Sequence, residues 1–413
     1  MDDQYASSSC AVHSTENGRT VGIAACLFIT GLLLSASAGA AQIKLGLLGD
    51  SIVDDYLGPS VFNGVNTNLA AGSFGQIMAV TRPQDFDFGG YRAPSNNPTE
   101  AWDGIRNFGY EFNAATAGAA ARDDAVVKLD FGPPPGGMGF ASIPVASRLS
   151  LQVDIMVPLI EQQRVDTVII SVGGNDFTYH TKIFPAFEGG ELREDPNAPV
   201  DQAFTNNVAN SILSAVDRLN EAGDVDIIMA AVPKIPIQNP DEMAGVDAVN
   251  ALLAAAAPTK GFVFFDSQEW SRTGPKVDPE TGNIVIAGVQ VPFASVASRD
   301  DIGPEGDGLF CNFEGDCPLD SHANFFISED GIHLNTLMQG QLANEYINIL
   351  NDEFGRDVEP IGDVELLQLV GVTPVPVPAG VWLLGSALAA LGWFRRRVSL
   401  RSCRRTNTLV LAA

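Results

Sequence analysis

Apolar and polar positions alternate along the chain with two periods. Short runs of Val, Ile and Leu end on glycine or a small polar residue: "QIKLGLLGDS" (42–51), "VDTVIISVGGND" (165–176), "VDIIMAAVPKI" (225–235) and "GFVFFDS" (261–267). Between them, apolar residues recur at helical spacing over 149–163, 203–222, 243–257 and 336–353. The stretch "NFGYEFNAATAGAAA" (107–121) reads as a further strand, a turn and the start of a small-residue helix. Near-continuous apolar strands separated by helices predict a parallel sheet covered on both faces. Ligands of such sheets sit beyond the carboxyl ends of the strands, and Ser51, Gly118 and Asn175 fall at those ends. Two long segments interrupt the alternation. Residues 57–106 are rich in Gly, Asn, Pro and aromatics, and 268–328 hold a hairpin-like "DPETGNIVIAGVQV" and then an acidic, Gly-rich loop. Loops this long serve as lids or binding walls, or are poorly ordered.

The chain's ends carry a different pattern. Residues 21–38, "VGIAACLFITGLLLSASA", form an apolar run closing on small residues, with A-x-A cleavage patterns at 36–38 and 38–40. Residues 1–40 therefore read as a secretory signal peptide. Arg19 is the lone positive charge of the first 20 residues, so a start codon placed too early, or an N-terminal membrane anchor, stays open beside that reading. At the far end a Pro-rich linker (357–380) leads into "VWLLGSALAALGWF" (381–394) and Arg395-Arg396-Arg397. Residues 381–397 read as a transmembrane helix with its arginines kept cytoplasmic, and 398–413 as a cytoplasmic tail. A buried core helix is the alternative. The remaining body is 41–356.

Charge and cysteine use narrow the setting. With 24 Lys+Arg against 50 Asp+Glu the chain carries a net −26, which repels nucleic acid and anionic membranes. It suits a soluble, exported body. Cys311 and Cys317, in "CNFEGDC", are most simply a local disulfide. The surrounding carboxylates, Asp300 to Asp320 with His322, read as a solvated acidic loop, with calcium as the alternative.

Three stretches can carry chemistry. Ser51 in "GDS" directly follows a buried strand, where a hydroxyl reaches the ligand crevice. The alternative is a plain turn serine. A nucleophilic serine needs a base, and His333 lies three residues after Asp330 in "SEDGIHLN". That carboxylate can hold the imidazole Nδ1 proton, or it can simply cap the following helix. In "SVGGNDFTYH" two glycines permit close backbone approach and Asn175 offers an amide donor to an oxyanion. A Gly-Asn turn capping the next helix is the alternative there. His180 reads as a packing or surface residue.

Taken together, Gly49-Asp50-Ser51, Gly173-Gly174-Asn175-Asp176 and Asp330-x-x-His333 resemble the blocks of the SGNH/GDSL hydrolase family over about residues 42–353. The resemblance implies a flavodoxin-like three-layer α/β/α sandwich with a central parallel sheet, and ester hydrolysis without a cofactor. Carried over, Ser51 is the nucleophile, His333 the base and Asp330 its orienter. The oxyanion hole is then the backbone N–H of Ser51, the N–H of Gly118 in "FNAATAGAAA", and the side chain of Asn175. Carboxylic esters are the implied substrates, with acylated carbohydrate of an exopolymer as the alternative. A silent binding module on the same fold is a third reading. The tail, with Val375-Pro376-Val377-Pro378-Ala379, resembles the PEP-CTERM class of sorting signals. This second resemblance implies a Gram-negative host and processing by an exosortase-type membrane protease.

Overall fold

The computed structural model describes residues 41–55, 73–92, 109–130, 140–145, 147–185, 192–234, 238–274, 283–287, 289–292, 334 and 336–369. In chain order the strands are β1 (Ile43–Gly49), β2 (Phe86–Asp87), β3 (Tyr91–Arg92), β4 (Gly109–Tyr110), β5 (Val126–Asp130), β6 (Phe140–Pro144), β7 (Thr167–Ser171), β8 (Lys182–Pro185), β9 (Arg193–Glu194), β10 (Asp226–Ala230), β11 (Val263–Phe265), β12 (Asn283–Ile286) and β13 (Val289–Pro292). The helices are α1 (Phe74–Thr81), α2 (Leu149–Glu161), α3 (Gly174–Thr181), α4 (Gln202–Ala222), α5 (Pro240–Lys260), α6 (Ser267–Thr273), α7 (Thr336–Phe354) and α8 (Asp363–Leu369).

The central sheet runs β11-β10-β7-β1-β2, with every adjacent pair parallel. Counted along the chain, its five strands lie in the order 2-1-3-4-5, the doubly wound arrangement of flavodoxin-like folds. Strand periodicity sorts the side chains into two cores. Leu47, Ile169 and Ile228 pack with α1 and α7, whereas Leu48, Ile170 and Met229 pack with α2, α4 and α5. The sheet is thus a middle layer between helices, as the two resemblance-based and pattern-based expectations require. A mixed sheet, β6-β5-β8-β9, and two hairpins, β3-β4 and β12-β13, stand beside it. The β12-β13 hairpin falls where the sequence reads as one.

Three expectations change. From residue 109 the 107–121 segment holds the short strand β4, which pairs with β3 and not with the central sheet, and as far as 121 it starts no helix. It meets β1 through one isolated bridge, Leu47 to Asn113, because beyond the Ala114 and Thr116 amides, which reach β1 carbonyls, its amides from Ala117 on do not bond β1. The sheet position beside β1 goes to β2 instead, inside the 57–106 segment read as a loop. That segment also holds α1, whose Gln76 accepts the Ser73 N–H at 2.9 Å, a capping signature visible as Ser-x-x-Gln. Finally, the linker expected from 357 belongs to the body as far as Leu369. Val358, Ile361, Leu366 and Leu367 are buried, and Arg82 donates to the carbonyls of Glu359 and Pro360 and pairs with Glu365. Among the described residues no helix is long and apolar enough to cross a membrane. The signal region, 381–413, Cys311, Cys317 and the 300–322 acidic loop lie outside those residues.

Candidate active site

The carboxyl end of β1 is held so tightly that only glycine fits. A Cβ on Gly49 would stand 2.3 Å from the Ser171 carbonyl of β7. The buried Gln152 side chain of α2 grips Gly49 from the other side, accepting its N–H at 2.7 Å and donating to its carbonyl at 2.8 Å. The chain then turns. The Asp50 N–H donates to the Ser171 carbonyl at 3.2 Å, and the Asp50 carbonyl accepts the amides of Val53 and Asp54. Ser51 sits partly exposed at the start of this turn. The buried Asp50 carboxylate accepts the Ile52 N–H at 3.1 Å.

The loop 113–122 is stitched to the same place by polar bonds. Asn113 is fully buried, donating to the Val53 carbonyl at 3.1 Å and accepting the Ala115 N–H at 3.0 Å. The Ala114 amide donates to the Leu47 carbonyl and the Thr116 amide to the Gly49 carbonyl. The Ala117 amide donates to Asp54 Oδ2 at 2.9 Å. The amides of Ala119 and Ala120 bond the carbonyls of Thr116 and Ser147, and those of Ala121 and Arg122 bond the Asp176 carboxylate. Gly118 is the exception: among the described residues, its N–H is the one amide from 114 to 122 with no acceptor. Its φ of +76° is a left-handed conformation that favours glycine and turns this amide out of the local bonding pattern.

The third block arrives on β7 and α3. Gly173, at φ +119°, makes the sharp entry to the helix. Asn175 Nδ2 donates to the Ala119 carbonyl at 3.0 Å, which fixes the amide plane and leaves its second hydrogen available. Asp176 is fully buried and takes the amides of Ala121 and Arg122 at 2.7 and 3.0 Å, with Arg122 Nε at 3.3 Å. Burial pushes its carboxyl up to about 6 against the pull of those donors. Because β1 and β7 pair with Gly49 opposite Ser171, the three blocks converge at adjacent strand ends. The arrangement gathers a serine, an uncommitted backbone N–H and a half-committed amide beside the carboxyl ends of β1 and β7.

A sequence model of the GDSL-like lipase/acylhydrolase family matches residues 45–346. The chain belongs to the GDSL-like lipase/acylhydrolase family. It is therefore an ester-bond hydrolase. Its solved structural neighbours include an Enterococcus faecalis lipase/acylhydrolase at 10% identity and TM-score 0.34, covering 77% of this chain and 98% of that one. The acetylxylan esterase Axe2 of Geobacillus stearothermophilus matches at 13% identity and TM-score 0.36, over 78% and 99% of the two chains. An alpha/beta hydrolase from the Lake Arreo metagenome, LAE5, matches at 12% identity and TM-score 0.32, over 74% and 93%. No curated protein matches the chain.

In this GDSL hydrolase the structure brings together Ser51, Gly118 and Asn175. Asp330 and His333 lie outside the described residues. The helix that follows them is nonetheless tied to the serine turn: Gln339 of α7 donates to the Ile52 carbonyl at 3.1 Å and accepts the Phe74 N–H at 3.1 Å. His180 has the packing role read from sequence. Its ring stacks on Phe204 at 4.1 Å, with Arg122 over the same ring at 4.6 Å. Burial lowers its pKa.

Sequence reasoning assigned no role to Gln152, Asn113, Gln339 or Asp176, the last named there only as part of its block. Two left a trace. Gln152 is a single polar residue among the apolar positions that α2 buries, and Asp176 sits beside Asn175 with no solvent to face.

Proposed function

We propose that the protein is an exported serine esterase working through an acyl-enzyme. Ser51 is the nucleophile and His333 the base that takes its Oγ proton as the hydroxyl attacks an ester carbonyl. Asp330 orients the imidazole and stabilises its cationic form. The oxyanion rests on the backbone N–H of Ser51, the N–H of Gly118 and the free amide hydrogen of Asn175. His333 then protonates the leaving alcohol, and water repeats the cycle on the acyl-enzyme. The observation that carries this reading is the Gly118 amide, left without an acceptor in a loop whose other amides are all bonded. A half-buried N–H with no acceptor among the described residues, held beside the carboxyl end of β1, is what a developing negative charge requires.

Export and sorting belong to the same proposal. They rest on the apolar run and A-x-A patterns before residue 41, and on the Pro-containing motif, apolar segment and arginines of 375–397. An exosortase-type protease is the partner this tail would meet, in the envelope of a Gram-negative cell.

The test is p-nitrophenyl acetate turnover by the purified protein beside Ser51→Ala and His333→Ala. The proposal expects both variants to lose at least about a thousandfold in kcat, as the loss of members of such a unit does. Retained activity in Ser51→Ala overturns it.

A further inference from the structure

Tyr179 is a polar side chain beside this site that the mechanism does not use. It lies four residues after Asn175 on α3, so the two share one face of the helix. Both lie over the same stretch of loop. Asn175 bonds the Ala119 carbonyl, and the Tyr179 hydroxyl stands 2.9 Å from where a Cβ on Gly118 would be. Its ring is fixed edge-on to Phe184 at 5.9 Å and packs against the buried cluster of Ala120, Ala125 and Val145. The hydroxyl makes no hydrogen bond to any described residue, and it is not one of the sealed, unpartnered polar atoms. Burial, then the carboxylates of Asp50 and Asp176, push the phenol up to about 12, so it stays a neutral donor through the working pH range. A half-buried ring that presents an unbonded donor next to an oxyanion amide is set to meet an oxygen of the substrate.

We infer that Tyr179 is a specificity-determining residue whose hydroxyl donates a hydrogen bond to a substrate oxygen near the scissile ester, favouring acylated carbohydrates over plain aryl or alkyl esters. The inference rests on the esterase reading above. Carbohydrate esters carry hydroxyl and ring oxygens close to the acyl group; p-nitrophenyl acetate has no such group. Tyr179 needs no part in bond making or breaking, so its effect belongs in binding.

Tyr179→Phe removes the oxygen and keeps the ring against Phe184. The experiment compares wild type and this variant on partially acetylated xylo-oligosaccharides and on p-nitrophenyl acetate, with melting temperature as the folding control. Loss of one neutral hydrogen bond should lower the oligosaccharide-to-aryl ratio of kcat/KM about five- to tenfold, carried by KM on the oligosaccharide. An unchanged ratio overturns the inference. Wild-type turnover of p-nitrophenyl acetate with none of the oligosaccharide overturns it alone. Turnover of neither overturns the esterase reading, and the inference with it.

Discussion

The sheet and the loop 113–122 meet at Gly49 and are held by different forces. In the sheet, Leu47, Leu48, Ile169, Ile170 and Ile228 are fully buried, and their stability comes from apolar area removed from water. In the loop the residues are mostly alanine, with little area to bury. Its position is fixed by directional bonds from Asn113, Asp54, Asp176 and the β1 carbonyls. The first kind of force is strong and tolerant of direction. The second is weaker in net terms and sets amide positions to a fraction of an ångström. A site that must hold an N–H against a developing charge needs the second kind, mounted on the first.

That contrast can be broken from either side. The largest effect on stability is expected from Ile169→Ala, which opens a cavity under the sheet and should cost about 2–5 kcal/mol. Urea unfolding measures it, and turnover per folded molecule should stay within about twofold, since the cost is in stability and not in transition-state contacts. Asp176→Asn should do the reverse. An amide can no longer accept both the Ala121 and Arg122 amides, so the loop shifts and the Gly118 N–H is misplaced. Loss of one oxyanion donor predicts a fall in kcat of about a hundredfold, with KM little changed.

Acid titration separates the two regions further. The Asp176 carboxyl sits at about 6 in the folded chain against 3.8 when free. The folded state therefore holds its proton more tightly, and the unfolded chain releases it first. Stability from this group is greatest below about pH 4, falls as pH rises toward 6, and is level above. The difference is on the order of 3 kcal/mol at most. Asp176→Asn should remove that component, seen as a flatter dependence of urea midpoint on pH between 4 and 7 than wild type shows. The smallest effect belongs to the surface. Lys260→Ala breaks a half-exposed pair with Asp217 and should change stability by less than about 1 kcal/mol, with no change in turnover.

The same contrast explains what could be read from the sequence. Strands with continuous apolar runs, such as 165–171, and helices with a clear period, such as α4, announce themselves because hydrophobic burial leaves a periodic trace. Helix α1 and strand β2 were hidden in a Gly- and Asn-rich segment whose short apolar words, "FGQIMAV" and "FDF", are too brief for periodicity. The small-residue loop misled for a further reason. Alanine favours helix locally, yet the amides of Ala114, Thr116, Ala117, Ala120, Ala121 and Arg122 find acceptors on other segments that a helix would deny them. The places of Ser51 and Asn175 were legible because they follow the apolar strands β1 and β7, whereas Gly118 was singled out through the resemblance of its block, since its segment is no strand of the central sheet. The residues that position them, Gln152, Asn113 and Asp176, were not, because a buried polar bond to another segment leaves no pattern in its own segment.

The most direct test of the central claim is fluorophosphonate labelling of the folded protein followed by mass mapping of the modified peptide. The account predicts a single adduct on Ser51, formed far more slowly in Asp176→Asn. A folded protein that takes no label, or takes it on another serine, would contradict it.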